Sequence, residues 1–178
     1  MKRQMIRNIL FIMGFVLTML GGQGAYALVL TPGDADFQGA VPNNPNAEDI
    51  SSITGVDDLN EVYKADVADP VEESGGFASS YDTEYFNDPL DPEDATVTYT
   101  GGNAIDCPEC FLLVKDGNQD PNWYIFDIGT WNGTEVIQLN GFWPNQGAIS
   151  HVSIYSNPAP GPLIVMAIGL IGMITASR

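Results

Sequence analysis

The residues in this 178-residue chain that could carry chemistry fall into four groups. Cys107-Pro108-Glu109-Cys110 is a CxxC. A redox CxxC needs a helix N-terminus to lower the thiol pKa. Here a β-type run follows at once, and Pro108 and Glu109 offer no positive charge. A structural zinc site needs about four ligands, and the sequence holds no second Cys pair or His pair. The spacing therefore points to a local Cys107–Cys110 disulfide, with free thiols or a metal as the alternatives. Asp116, Asn118, Asp120 and Asp127 have the 1-3-5-12 spacing of a calcium loop, but Pro121 stands where such a loop requires glycine. The simpler expectation is a hairpin loop with Asx-type turns. Calcium is the only cofactor under consideration, held by Asp116, Asn118 and Asp120 or by acids from separate loops such as Asp88, Asp91 and Asp94. The aromatics Trp123, Tyr124, Trp131, Phe142 and Trp143 are dense enough for a sugar-stacking platform, and Trp131 and Trp143 fall in expected loops, which favours their exposure. His151 is the sole histidine, in an expected strand without a readable nucleophile or metal partner; no Gly-x-Ser-x-Gly elbow is present. Asn132-Gly-Thr134 fits a glycosylation sequon but reads better as a turn.

The elements that must position these residues lie between two terminal segments. Met1 to Ala27 reads as a secretory signal peptide. Lys2, Arg3 and Arg7 form the basic start, and Ile9 to Leu20 is an apolar stretch. Ala25-Tyr26-Ala27 fits the small-x-small cleavage rule, so the mature chain is expected to begin at Leu28. At the other end Asn157 opens a proline-rich linker, then an uncharged run from Leu163 to Ala176, then Ser177 and Arg178. Leu163, Ile164, Val165, Ile168, Leu170, Ile171 and Ile174 make it a short membrane segment with Arg178 as its basic end. Its span as a helix is about 21 Å, short of the ~30 Å hydrocarbon core, so crossing calls for thinning or snorkelling.

Charge separates these segments from the body. All 23 acidic residues follow position 27, and three of the six basic ones precede it. Three cations against 23 acids leave −20, and without Arg178 the remainder carries −21, with Lys64 and Lys115 as its only lysines or arginines. Such a body repels nucleic acid and anionic lipid, which removes DNA and RNA from the expected partners.

Residues 28–156 are one domain's worth of chain. Asn46 is an expected N-cap of a two-turn helix that stops at Gly55. Thereafter the apolar period is two. Short strands are expected at Ala27–Leu30, Tyr63–Val67, Phe77–Tyr85, Ala95–Tyr99, Phe111–Lys115, Trp123–Ile128, Glu135–Leu139 and Ile149–Tyr155. The pair 111–115 and 123–128 is the most apolar, hence central, and is joined by an Asp116-Gly117-Asn118 turn into a hairpin. The fold class is mostly β: an antiparallel, jelly-roll-like β-sandwich with one short helix, plus an N-terminal signal helix and a C-terminal hydrophobic helix.

The C-terminal segment resembles the PEP-CTERM sorting signal of bacterial exported proteins. Pro158-Ala159-Pro160 stands where Pro-Glu-Pro is usual, followed by the short hydrophobic helix and a single arginine in place of a basic cluster. The stretch from Leu59 to Tyr155 also resembles the body of a recurring type of exported PEP-CTERM protein. Leu112-Leu-Val-Lys-Asp-Gly-Asn118, Trp123-Tyr-Ile-Phe-Asp127, Trp131-Asn-Gly-Thr-Glu135 and the Gly141–Val152 stretch carry that likeness. The resemblance implies the secretion machinery, signal peptidase and an exosortase-like membrane enzyme as partners. It also implies transient retention at the inner membrane by 157–178, and release to the cell surface or an extracellular polysaccharide matrix. It implies no known reaction. The chain is thus expected to be a non-catalytic exported protein, with a carbohydrate-binding module and a secreted hydrolase as the alternatives.

Overall fold

The computed structural model describes residues 27–87, 91–144 and 148–157. Residues 1–26 of the expected signal peptide and 158–178 of the expected sorting segment lie outside the described residues. Within them, ten strands make two sheets. The strands are β1 (Leu28–Leu30), β2 (Phe37–Gly39), β3 (Asn60–Asp66), β4 (Glu72–Ser74), β5 (Tyr81–Phe86), β6 (Asp94–Tyr99), β7 (Cys110–Asp116), β8 (Trp123–Asp127), β9 (Ile137–Leu139) and β10 (Ile149–Ser156). A four-stranded sheet has the order β1-β9-β6-β5 and a six-stranded sheet the order β2-β8-β7-β10-β3-β4.

Period-two alternation assigns the inner face. Tyr63, Ala65, Leu112, Val114, Tyr124, Phe126, Val152 and Ile154 from the large sheet meet Leu30, Tyr81, Ala95, Val97, Ile137 and Leu139 from the small one in a single buried cluster. Each large apolar side chain among them contributes about 1.5–3 kcal/mol when removed from water. The large sheet is buried on its outer face as well. Phe111, Leu113, Trp123, Ile125 and Tyr155 point outward and are covered by the helix α1 (Ala47–Thr54) through Ile50, with Ala47, Ile53, Val56 and Phe37 at its margin. Every residue of β7 is consequently buried.

Local chemistry sets α1 in place. The Asn46 side chain accepts from the Glu48 and Asp49 amides at 2.9 and 3.1 Å, and the Asp49 carboxylate accepts from the Asn46 amide at 2.9 Å. This reciprocal cap satisfies donors the helix itself leaves open. Gly55 ends the helix at φ 75°, where a side chain would be strained. At Gly39 the reason for glycine is space: a Cβ would sit 2.5 Å from the Trp123 ring.

Several expectations take a different form. Phe77–Ser80 is not strand; Ala78–Ser80 is a 3-10 turn, and β5 begins at Tyr81. The Ser80 amide donates to Phe77 O and the Ser80 carbonyl accepts from Thr100, so the backbone closes a local turn in place of the ladder. The pair β1–β9 is parallel, because β1 arrives from the far end of the sequence rather than through a hairpin. Glu135 and Val136 precede β9 rather than belonging to it. The three-residue strands β2 and β4 are too short for alternation to reveal.

The sheet edges are held by one carboxylate. Glu73 Oε1 accepts from the Tyr63 hydroxyl at 2.6 Å and from the Thr83 amide of β5 at 2.9 Å. It thereby joins the edge strand of one sheet to that of the other. Tyr85 Oη donates a further bond to Ala65 O at 2.7 Å. Among the described residues no helix is long and apolar enough to cross a membrane.

Candidate functional site

Cys107 and Cys110 form a disulfide, S–S 2.06 Å, in keeping with their spacing. The loop it closes grips the end of β10. Ser156 Oγ donates to Asp106 O at 3.1 Å, the Asn157 amide donates to Glu109 O at 3.2 Å, and Asn157 Nδ2 donates to Glu109 Oε2 at 3.3 Å. Ala27 and Leu28, flanking the expected cleavage point, lie at the start of β1; the Leu28 nitrogen donates to Val136 O at 2.8 Å. Ala25 and the residues from Pro158 to Arg178 lie outside the described residues.

The indoles do not form an exposed platform. Trp131 and Trp143 are 4% and 7% exposed, so a place in a loop does not make them accessible. Each loop folds inward because its ring is apolar and its N–H finds a carbonyl there. Trp131 Nε1 donates to Glu135 O at 2.8 Å. Trp143 Nε1 donates to Pro121 O at 2.7 Å. Trp131 packs on Tyr81, and Trp143 on Tyr124 and Phe142. Trp123 is equally buried and donates to Pro42 O at 3.1 Å. The Asn132 side chain accepts from the Thr134 and Glu135 amides, so Asn132-Gly133-Thr134 is the turn its composition suggests.

The calcium candidates do not converge. Asp116 Oδ1 accepts from the Asn118 amide at 2.8 Å, the Asx turn of a β7–β8 hairpin. Phe111 pairs with Asp127, so Asp127 stands at the far end of that hairpin from Asp116. Five residue steps along β7 separate the two levels, roughly 16 Å at ~3.3 Å each. Asp127 Oδ1 is occupied by the Gly129 amide. Asp120 belongs to the loop between the strands, Asp94 is held by Gly141 and Asn87, and Asp88 lies outside the described residues. Among the described residues no group of three or more His, Cys, Asp or Glu side chains is placed to hold a metal ion.

What the structure does bring together is a polar niche of about 280 Å³ on the outer face of the large sheet, beside the start of α1. Glu61 and Lys64 of β3, His151 and Tyr155 of β10, and the segment Asn44-Pro45-Asn46-Ala47 line it. Glu61 and Lys64 are three apart and would face opposite ways on a regular strand. A bulge corrects this. Ile154 pairs with Tyr63 and Tyr155 with Glu61, so Val62 is an extra residue and both charged side chains reach the same niche. Tyr155 Oη donates to Glu61 Oε1 at 3.2 Å; burial first, then that carboxylate, pushes the phenol far above its ordinary range. Lys64 Nζ lies 2.7 Å from Asp66 Oδ1, and His151 Nδ1 lies 3.9 Å from the same oxygen.

Both lysines of the body and its histidine share this face, since Lys115 pairs with His151 across the sheet and Lys64 pairs with Ser153. Burial above all, then the neighbouring Lys64 charge, lowers His151 to about 4, against an opposing pull from Asp66. The imidazole is therefore neutral at ordinary pH. Ser153 is fully buried between His151 and Tyr155. Its Oγ lies near enough to the Tyr155 hydroxyl to favour the ionised phenol, yet no hydrogen bond of ordinary geometry satisfies it. A substrate carbonyl has no path to that hydroxyl, so the Ser153–His151–Asp66 sequence along the sheet is not an accessible nucleophile set. Sequence reading misses Glu61 and Tyr155; the available signal is that Lys64, Lys115 and His151 are the body's only basic side chains.

Comparison with known proteins adds no relative: no family model matches the chain, and neither a curated protein nor a solved structure does.

Proposed function

We propose that this is an exported, non-catalytic protein of the cell surface or extracellular matrix, delivered through a PEP-CTERM-like C-terminal signal. The carrying observation is the fit between the domain and the two sequence signals. The first strand starts at Leu28, the residue after the expected signal cleavage, and the last strand ends at Ser156, two residues before Pro158-Ala159-Pro160. Among the described residues, both cores draw on positions within that span. The Cys107–Cys110 disulfide suits an oxidising compartment. A body at −21 suits a soluble exported protein. In this reading signal peptidase and an exosortase-like enzyme act on the two ends, with transient inner-membrane retention by 157–178. Extracellular polysaccharide is then the surrounding matrix rather than a ligand stacked on indoles.

Intact mass of the protein recovered from the cell surface tests the reading. The expected species begins at Leu28 and lacks Leu163 to Arg178. Recovery of the surface protein with that segment retained would replace processing by simple anchoring.

A further inference from the structure

We propose that the niche between β3, β10 and the start of α1 binds a small zwitterion, its ammonium on Glu61 and its carboxylate on Lys64 beside His151. This inference is independent of how the chain is sorted. It rests on the bulge at Val62, which places an acid and a base on one face where a regular strand would separate them. Bulges re-aim side chains in this way next to sites. The lining carries groups of both signs. The Glu61 carboxylate accepts the Tyr155 hydroxyl and has further acceptor capacity. The Lys64 ammonium has three donors, of which Asp66 takes one, and the neutral His151 ring lines the same niche.

The size and the surrounding field narrow the ligand. A space of about 280 Å³ accommodates a molecule of amino-acid size. The −21 body opposes anions on approach, whereas a ligand of zero net charge approaches without that cost. A ligand with both charges finds a partner of opposite sign for each in this lining. Asn44, Pro45, Asn46 and Ala47 complete the lining, with the Asn46 side-chain oxygen already engaged in the helix cap.

The test is a titration of the full-length chain, kept in mild detergent, followed by heteronuclear NMR at the His151 ring and the Glu61, Lys64 and Tyr155 amides. The probes are glycine and L-alanine, with N-acetylglycine lacking the ammonium and glycinamide lacking the carboxylate. Saturable shifts are expected with the two amino acids, and roughly tenfold or greater weakening with either blocked compound, the scale of a lost charge-assisted hydrogen bond. Glu61→Gln should abolish the preference for glycine over N-acetylglycine, and Lys64→Met the preference for glycine over glycinamide. Both variants keep side-chain size, and their spectra report directly whether the fold is intact. Absence of saturable shifts with either amino acid, equal response to the blocked compounds, or unchanged preferences in the two variants would each overturn the proposal.

Discussion

The two faces of the six-stranded sheet are built on different rules. The inner face is uniform. Leu112, Val114, Phe126, Val152 and Ile154 meet the opposing sheet with no charged residue among them. The outer face changes character along its width. Under α1 it is apolar, with Leu113, Phe111 and Ile125 against Ile50. Toward β3 it becomes polar, with Ser153, His151, Lys64 and Asp66. Simple alternation suffices for a face that only has to exclude water. A face that also presents polar groups needs devices that alternation does not encode, such as a bulge and a capped helix.

Neighbouring residues of β7 give the largest test of that contrast. Leu112 and Leu113 are both fully buried but face opposite cores. Leu112→Ala should cost about 4 kcal/mol in urea unfolding, and Leu113→Ala about 3 kcal/mol, since a two-turn helix can shift into the space more readily than a whole sheet. A larger loss at Leu113 would reverse the view that the inner core dominates.

Acid should act on the outer face. His151 titrates near 4 in the fold against an ordinary value of 6.5. A base with a depressed folded pKa contributes stability that is fully present above about 6.5 and is lost as pH falls toward 4. Lys64 and Lys115 oppose its protonation and Asp66 favours it. Relative to His151→Gln, the native chain should therefore lose roughly 3 kcal/mol more between pH 7 and pH 4, measured by urea unfolding at both. Parallel pH profiles for the two proteins would mean that the ring is not shielded as described.

The remaining effects are smaller. Glu73 is the acceptor shared by Tyr63 and Thr83. Its replacement in Glu73→Ala should cost roughly 2 kcal/mol, with faster amide exchange at Thr83. Unchanged exchange there would mean that the carboxylate does not tie the two edges. Asn46 caps α1 through the Glu48 and Asp49 amides. Asn46→Ala should cost about 1 kcal/mol, felt at Ile50 and Leu113 and not at Leu112. An equal response at Leu112 would show that the two cores unfold as one unit.

The same contrast explains what is legible in the sequence. The continuous apolar stretches Phe111–Lys115 and Trp123–Ile128 announce the hairpin of β7 and β8, and Asn46 with Gly55 announces α1, because each signal is local; that β10 is the other neighbour of β7 is not a local signal. β2 and β4 stay hidden because three residues carry too little period. The inward turn of Trp131 and Trp143 is hidden because the carbonyls that receive their N–H groups, Glu135 and Pro121, are chosen by tertiary packing. The niche is hidden for a related reason: without the register slip at Val62, Glu61 and Lys64 read as residues of opposite faces.

The Glu73 bond to Thr83 has a consequence for life at high concentration. A sheet edge is a template for pairing with another chain. Here β1, β2 and β4 offer edges only three residues long, and the longer edge, β5, has its Thr83 amide occupied by a carboxylate from within the same molecule. Combined with the mutual repulsion of strongly acidic bodies, this favours a chain that crowds without polymerising through its edges.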